Sequence, residues 1–328
     1  MYRKYFEPKY GEVAPWVQID PPQVADMDNL KAWRVKSNFE TLTDLTMLIR
    51  RCNCYDALME TITDDVRIKR PDGEEVLLRV YHPQGDGPFP IMLFVHGGGF
   101  MFNNLDLYDY VPRYFARFGG VAVVAVDYRL APEYKFPIGL EDCYAALEWS
   151  VTNADSFSGD PSSLTVCGDS AGGNICAAMA LMTRDRKGPK MHKQILIYPL
   201  TTFVATEKKL DSEERYGSGD YFLKYDSTDR KLGHTYLPSP DEDAKNPYAS
   251  PLLETNFEGV APACFISAEC DPILDHALMY AAKLEDNGVP VDFHLYEGML
   301  HAFINRTYQK TFEALDDIVA AVPPLRKD

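Results

Sequence analysis

The sequence predicts an α/β fold, with a mostly parallel, eight-stranded sheet covered by helices on both faces. Three observations predict it. After about residue 60, short apolar runs rich in β-branched residues alternate with helix-length segments. That alternation marks a parallel sheet wrapped by crossover helices. Most of the gaps between runs are too long for hairpins and fit crossover connections. The chain has 328 residues, 46% hydrophobic and 25% charged, which is enough to bury a sizeable core.

Strands are expected at residues 66–69, 76–82, 91–96, 121–127, 164–168, 194–198, 263–268 and 291–296. The first two flank Pro71-Asp72-Gly73, a turn sequence that makes them a hairpin. Helices are expected at 108–118, 140–151, 171–184, 273–287 and 305–321. Across 273–287, Leu274, Ala277, Leu278, Ala281 and Leu284 recur at helical spacing, and a helix packed on the sheet explains that stripe. Two regions break the alternation. Residues 1–55 hold Pro21-Pro22 and a long amphipathic stretch with no strand; residues 200–250 are polar and rich in Gly, Asp and Tyr. Segments of that length without strands are uncommon unless functional. Both are expected to cover one edge of the sheet.

The stretch Gly168-Asp169-Ser170-Ala171-Gly172 falls between the strand ending near Cys167 and the helix starting at Ala171. A Ser on a tight strand-to-helix turn stands exposed at the sheet's C-terminal end, with small neighbours that let the backbone pass. The following helix points its positive end at it. A β-barrel serine protease has a similar run, but it is all-β and its His precedes the Ser. Only His82 and His96 precede Ser170 here, one in a strand and one at a strand end.

A Ser hydroxyl needs a base, and in this architecture the acid and then the His follow it. Five His follow: His192, His234, His276, His294 and His301. His192 and His234 fall in polar loops, His276 in a helix and His294 in the last strand. Only His301 follows the end of a late strand, so it is the candidate base. The acid is sought after the preceding strand, where Glu269, Asp271 and Asp275 stand. Asp271 lies in the loop before Pro272, whose ring favours an extended residue ahead of it. It is chosen to orient His301, with Glu269 as fallback and Asp275 as a helix N-terminal charge. His96-Gly97-Gly98-Gly99-Phe100 ends an earlier strand. Bare amides there would hold a developing oxyanion: Gly97 and Gly98 N–H joined by Ala171 N–H. No phosphate-loop pattern accompanies these glycines.

The formal net charge is -16 and the pI about 4.9, which argues against nucleic acid and anionic membranes as partners. No run is long and apolar enough for a stable membrane insertion. The seven Cys include no Cys-x-x-Cys pair, and Cys143, Cys167, Cys176 and Cys264 sit in apolar runs. Reduced thiols and a cytoplasmic setting are expected. His-x-x-x-His and His-x-x-Glu-His are absent and the His are scattered, so no metal site is expected.

With these residues placed, the chain resembles the hormone-sensitive-lipase-like esterases (the bacterial family IV type) of the α/β-hydrolase fold, from about residue 75 to the C-terminus. The resemblance rests on His96-Gly97-Gly98-Gly99-Phe100, Gly168-Asp169-Ser170-Ala171-Gly172-Gly173, Asp271-Pro272-Ile273-Leu274-Asp275 and His301-Ala302-Phe303, in the family's order. It implies a Ser170–Asp271–His301 triad, an oxyanion hole of Gly97, Gly98 and Ala171, and no cofactor. It implies an N-terminal helical cap at residues 1–55 over a catalytic domain at 56–328, the 200–250 insertion walling the acyl pocket. Phe100, Tyr198, Tyr221, Phe222 and Phe303 are the candidate substrate-binding residues. The expected substrate is a small ester of short to medium acyl chain, and relatives often form homodimers. An amide deacetylase or small peptidase with the same triad, or a ligand-binding protein with an idle Ser, are the alternatives. One departure is visible: where the family usually has Gly after the aromatic of the glycine-rich loop, Asn103 stands.

Overall fold

The computed structural model describes residues 10–18, 29–32, 34–36, 54–205, 207–228, 231–306 and 308–325. Most of the expected cap segment, and Cys52, lie outside the described residues. Among those described, eight strands form one sheet in the order β1-β2-β4-β3-β5-β6-β7-β8. They are β1 (Ile62–Lys69), β2 (Glu75–His82), β3 (Phe89–Val95), β4 (Ala122–Asp127), β5 (Gly159–Asp169), β6 (Lys193–Ile197), β7 (Ala263–Cys270) and β8 (Val291–Leu300). β2 pairs antiparallel with β1 and β4, and every other pairing is parallel.

All eight expected strands are present, and β1, β5 and β8 run at least four residues longer than expected. β1 starts at Ile62 because its polar residues face solvent on an edge strand, so no apolar run announces it. β5 reaches back to Gly159 through an irregular pairing next to Pro90. β8 continues to Leu300 past a register shift opposite Ala268 and Cys270.

Five long helices wrap the sheet: α1 (Tyr110–Gly119), α2 (Ile138–Thr152), α3 (Ala171–Arg186), α4 (Leu274–Asp286) and α5 (Gln309–Ala321). The strands feed two cores, one per face, because successive side chains alternate. On β4, Ala122, Val124 and Val126 join the core under α2, α3 and α4, while Val123 and Ala125 join the core under α1 and α5. α1 buries Val111, Phe115 and Ala116 and ends at Gly120, whose φ of 61° closes the helix in the left-handed conformation. No described helix is long and apolar enough to cross a membrane.

The 200–250 insertion is not a bare loop. It holds short helices at Asp211–Tyr216, Lys231–Tyr236 and Pro240–Asp243. Their brevity and polarity hid them in the sequence. Of the N-terminal region, residues 10–18 run along the end of β8. Ala14 N–H donates to Gly298 O at 3.1 Å, Tyr10 OH to Asp275 Oδ1 at 2.8 Å, and Tyr216 OH to Gly11 O at 2.7 Å. Residues 30–32 and 34–36 are helical. There Arg34 donates to the carbonyls of Met101 and Ala131 at 2.7 and 2.6 Å and pairs with Glu133. That bond ties this helical piece to the glycine-rich loop.

Candidate active site

Ser170 stands where β5 turns into α3, with φ 54° and ψ -114°. A non-glycine residue at that φ is strained and persists only where its surroundings fix it. Ser170 N–H donates to Ile197 O at 2.8 Å, and Asn174 N–H returns to Ser170 O at 3.0 Å. The turn also requires bare neighbours. A Cβ on Gly172 would overlap the carbonyl oxygen of Val95, and one on Gly168 would lie 2.6 Å from Gly172 O. The sheet packs these backbones too tightly for any side chain.

The loop after β8 brings His301 over this turn. His301 Nε2 lies 3.0 Å from Ser170 Oγ. His301 Nδ1 lies 2.7 Å from Asp271 Oδ2. A carboxylate only accepts, so Nδ1 carries the proton and Nε2 offers its lone pair to the Ser170 hydroxyl. Asp271 is fully buried in the loop after β7, and its Oδ1 accepts from Ile273 N–H at 2.9 Å. Ser170 keeps partial exposure.

The other two acids are engaged elsewhere. Glu269 Oε2 accepts from Gly298 N–H at 2.7 Å. Asp275 begins α4, as expected, but its carboxylate also accepts from Tyr10 OH and, at 2.9 Å, from Ser212 N–H. Ser212 Oγ donates to Pro272 O at 2.8 Å. The insertion thus braces the loop that carries Asp271.

The glycine-rich loop requires one correction. Gly97 N–H, expected to face the oxyanion, donates to Asp169 Oδ1 at 2.7 Å. It is committed to the elbow's own acidic residue. Among the described residues, no protein group accepts from the N–H of Gly98 or Gly99. Gly98 has φ 119°, and a Cβ there would overlap Phe102 O, so only glycine fits. Ala171 N–H opens α3, where helix geometry supplies no acceptor.

Behind these amides is a network that local sequence reading missed. Asp169 Oδ2 accepts from Tyr108 OH at 2.9 Å, and Tyr108 OH accepts from Asn305 Nδ2 at 2.9 Å. Burial pushes the Asp169 carboxyl up to about 6, against these hydrogen bonds. His96 is buried, stacked on Tyr128 at 4.5 Å, and burial pushes it down to about 4. It is therefore neutral at pH 7, and its Nδ1 lies 2.7 Å from Gly97 O. Asn103, at φ 78°, donates from Nδ2 to the same carbonyl at 3.2 Å. Two side chains therefore grip one face of the Gly97–Gly98 peptide, whose opposite face is the Gly98 N–H. The signals were in the sequence only for Asp169 and Asn103, which stand inside or beside the motifs.

The candidate substrate-binding residues divide into two groups. Phe100 is buried and stacks on Tyr236 at 3.8 Å, with Phe203 against both. Tyr198 and Phe303 are also buried. The Tyr198 ring packs 4.6 Å from the His301 ring, and Phe303 packs on Tyr198 from behind. Tyr221 and Phe222 are half-buried; Tyr221 packs on Tyr216, and Arg306 covers Phe222.

The alpha/beta hydrolase fold family matches residues 92–305, which contain the glycine-rich loop, the elbow, Asp271 and His301. The chain belongs to that family. It is 37% identical over 247 residues to carboxylic ester hydrolase LipN of Mycobacterium tuberculosis, a match covering 74% of this chain but only 64% of that protein. It is 34% identical over 269 residues to an ethyl acetate hydrolase of Pseudomonas putida, covering 80% of this chain and 82% of that one. Among solved structures, an esterase of Pyrobaculum calidifontis superposes with a TM-score of 0.81 at 34% identity, over 92% of this chain and 94% of its own. The resemblance to hormone-sensitive-lipase-like esterases thus extends from motifs to the whole fold of this α/β hydrolase.

Proposed function

We propose that this carboxylic ester hydrolase cleaves small esters of short to medium acyl chain by acyl transfer through Ser170. The observation that carries the proposal is the continuous hydrogen-bonded line from Ser170 Oγ through His301 to Asp271, at 3.0 and 2.7 Å. His301 Nε2 takes the Ser170 proton as Oγ attacks the ester carbonyl. The oxyanion is held by the N–H groups of Gly98, Gly99 and Ala171, aimed before the substrate arrives. Collapse expels the alcohol, which leaves with the proton from His301. Water then attacks the acyl-enzyme, His301 again acting as base and then acid, and the carboxylic acid departs. Asp271 holds the imidazole tautomer throughout and stabilises its charged form.

The acyl-chain limit is assigned to the Phe100–Tyr236–Phe203 stack beside the glycine-rich loop, with the 200–250 insertion closing that side. Residues 1–55 act as the cap over the 56–328 catalytic domain; the bond from Arg34 to the carbonyls beside the loop supports that assignment. The relatives' ester-hydrolase names favour esters over amides as substrates.

The test uses p-nitrophenyl esters from acetate to decanoate, with intact mass after a fluorophosphonate probe. Wild type is expected to turn over the shorter esters and gain one adduct on Ser170. Ser170→Ala is expected to fold normally, lose turnover by roughly 10⁶-fold and take no adduct. Retained turnover in the variant overturns the proposal. A matched amide series is expected to be cleaved far more slowly.

A further inference from the structure

Parallel pairing of β7 and β8 aligns Cys264 with Asp292 and Ile266 with His294. Strand alternation then puts the side chains of Cys264, Asp292 and His294 on one face of the sheet. Cys264 Sγ, an Asp292 carboxylate oxygen and a His294 ring nitrogen all lie within 4.8 Å of one another. Cys264 is fully buried and its thiol is free. His294 Nε2 is buried and makes no hydrogen bond, although Asp292 Oδ2 stands 3.1 Å away. On the ring's other side, His294 Nδ1 lies 3.3 Å from Asp317 Oδ2 of α5, and Tyr296 OH donates to that same oxygen at 2.5 Å.

We propose that Cys264, Asp292 and His294 form a binding site for a zinc-class divalent ion, oriented by Asp317. Thiolate sulfur, imidazole nitrogen and carboxylate oxygen together are the donor set that zinc takes in tetrahedral sites. Calcium and magnesium take all-oxygen sets and are not matched by a thiol and an imidazole. Metal-bound histidines usually donate their second ring N–H to a carboxylate, which fixes the tautomer and raises the basicity of the ligating nitrogen. Asp317 stands where that second carboxylate is needed, and Tyr296 holds it there. The Cys264 thiol proton is released to solvent on binding, and the sulfur, the His294 Nε2 and one Asp292 oxygen each give a lone pair to the ion. A water completes four-coordination on the exposed Asp292 side.

The site lies apart from the chemistry. Cys264 is seven residues ahead of Asp271 along β7, roughly 20 Å of extended chain. Bound metal would link β7 to the edge strand β8 and, through Asp317, to α5. The ion is a clamp on the sheet edge rather than a participant in ester cleavage.

The test uses the full chain, stripped with a chelator and titrated with Co²⁺ as a coloured stand-in for Zn²⁺. One equivalent is expected to produce a thiolate-to-cobalt charge-transfer band with the visible absorption of a tetrahedral site, and Zn²⁺ is expected to bleach both. His294→Ala, a partly exposed position that leaves the core intact, and Cys264→Ser are each expected to abolish the thiolate band while ester hydrolysis stays at its wild-type level. Asp317→Asn is expected to weaken metal binding about 10- to 100-fold. No thiolate band in the wild type, or a band unchanged in both ligand variants, overturns the site. Unchanged affinity in Asp317→Asn overturns the role given to Asp317.

Discussion

Asn103 is a single side chain that bears on the proposed oxyanion hole. Its Nδ2 and the His96 imidazole both hold the Gly97 carbonyl, and the amide of that same peptide is the Gly98 N–H. Rotation of the peptide is blocked from one side, so the other side stays aimed. Asn103 also sits at φ 78°, a conformation that glycine adopts without strain. Asn103→Gly therefore removes the donor without backbone strain. Its melting temperature is expected to match or exceed wild type, while kcat falls about 10-fold with KM little changed, less than the 10²–10³ for losing an oxyanion donor outright. Steady-state kinetics beside a thermal melt separate the two effects. An unchanged kcat would show that His96 alone holds the peptide.

The elbow between β5 and α3 is the element on which the site depends, and its crowded glycines differ from the open one at Gly120. A methyl at Gly172 overlaps the Val95 backbone, which belongs to the central strand β3 and has nowhere to go. Around Gly120, at the end of α1, a methyl meets nothing within 4 Å and only the φ of 61° opposes it. Gly120→Ala is expected to cost about 1 kcal/mol by urea unfolding. Gly172→Ala is expected to cost more than about 3 kcal/mol, or to leave no folded protein. Equal costs would mean that the elbow is looser than its contacts indicate. Elements of this kind were legible because their chemistry is local. Ser170, its glycines and the order of Asp271 and His301 are read directly off short stretches. What the sequence hid depends on pairing between distant strands. The commitment of Gly97 N–H to Asp169 joins two strand ends 72 residues apart. The Cys264–Asp292–His294 group exists only because β7 and β8 run parallel in one register, so a search for ligands at helical spacing passes over it. The helices of the insertion are too short and polar for periodicity to mark, and their role in bracing Pro272 is a tertiary fact.

For the molecule as a whole, buried titratable groups set the response to acid. Burial pushes both His96 and His276 down to about 4. Each is neutral in the folded chain and takes a proton near 6.5 when unfolded, so the stability each contributes is present above 6.5 and lost as the pH falls toward 4. Asp169 works in the opposite direction. Its carboxyl, raised to about 6, favours the folded state as the pH falls through that value. Between pH 7 and 5 the two histidines together are expected to lose about 4 kcal/mol and Asp169 to return about 1. Urea unfolding at the two pH values is expected to show that net loss, and His276→Leu, outside the catalytic groups, is expected to lose about 2 kcal/mol less. A loss unchanged by that substitution would place the acid sensitivity elsewhere. The strap of residues 10–18 gives the whole chain another property. Tyr10 is tied to Asp275 across 265 residues, and Ala14 to Gly298 on the last strand. During synthesis the strap leaves the ribosome long before its docking strand. At typical rates of about 5–20 residues per second, Asp275 follows Tyr10 after roughly 13 to 53 s. A nascent chain holds the strap open until β8 arrives, and the loop that carries His301 emerges in the same moments.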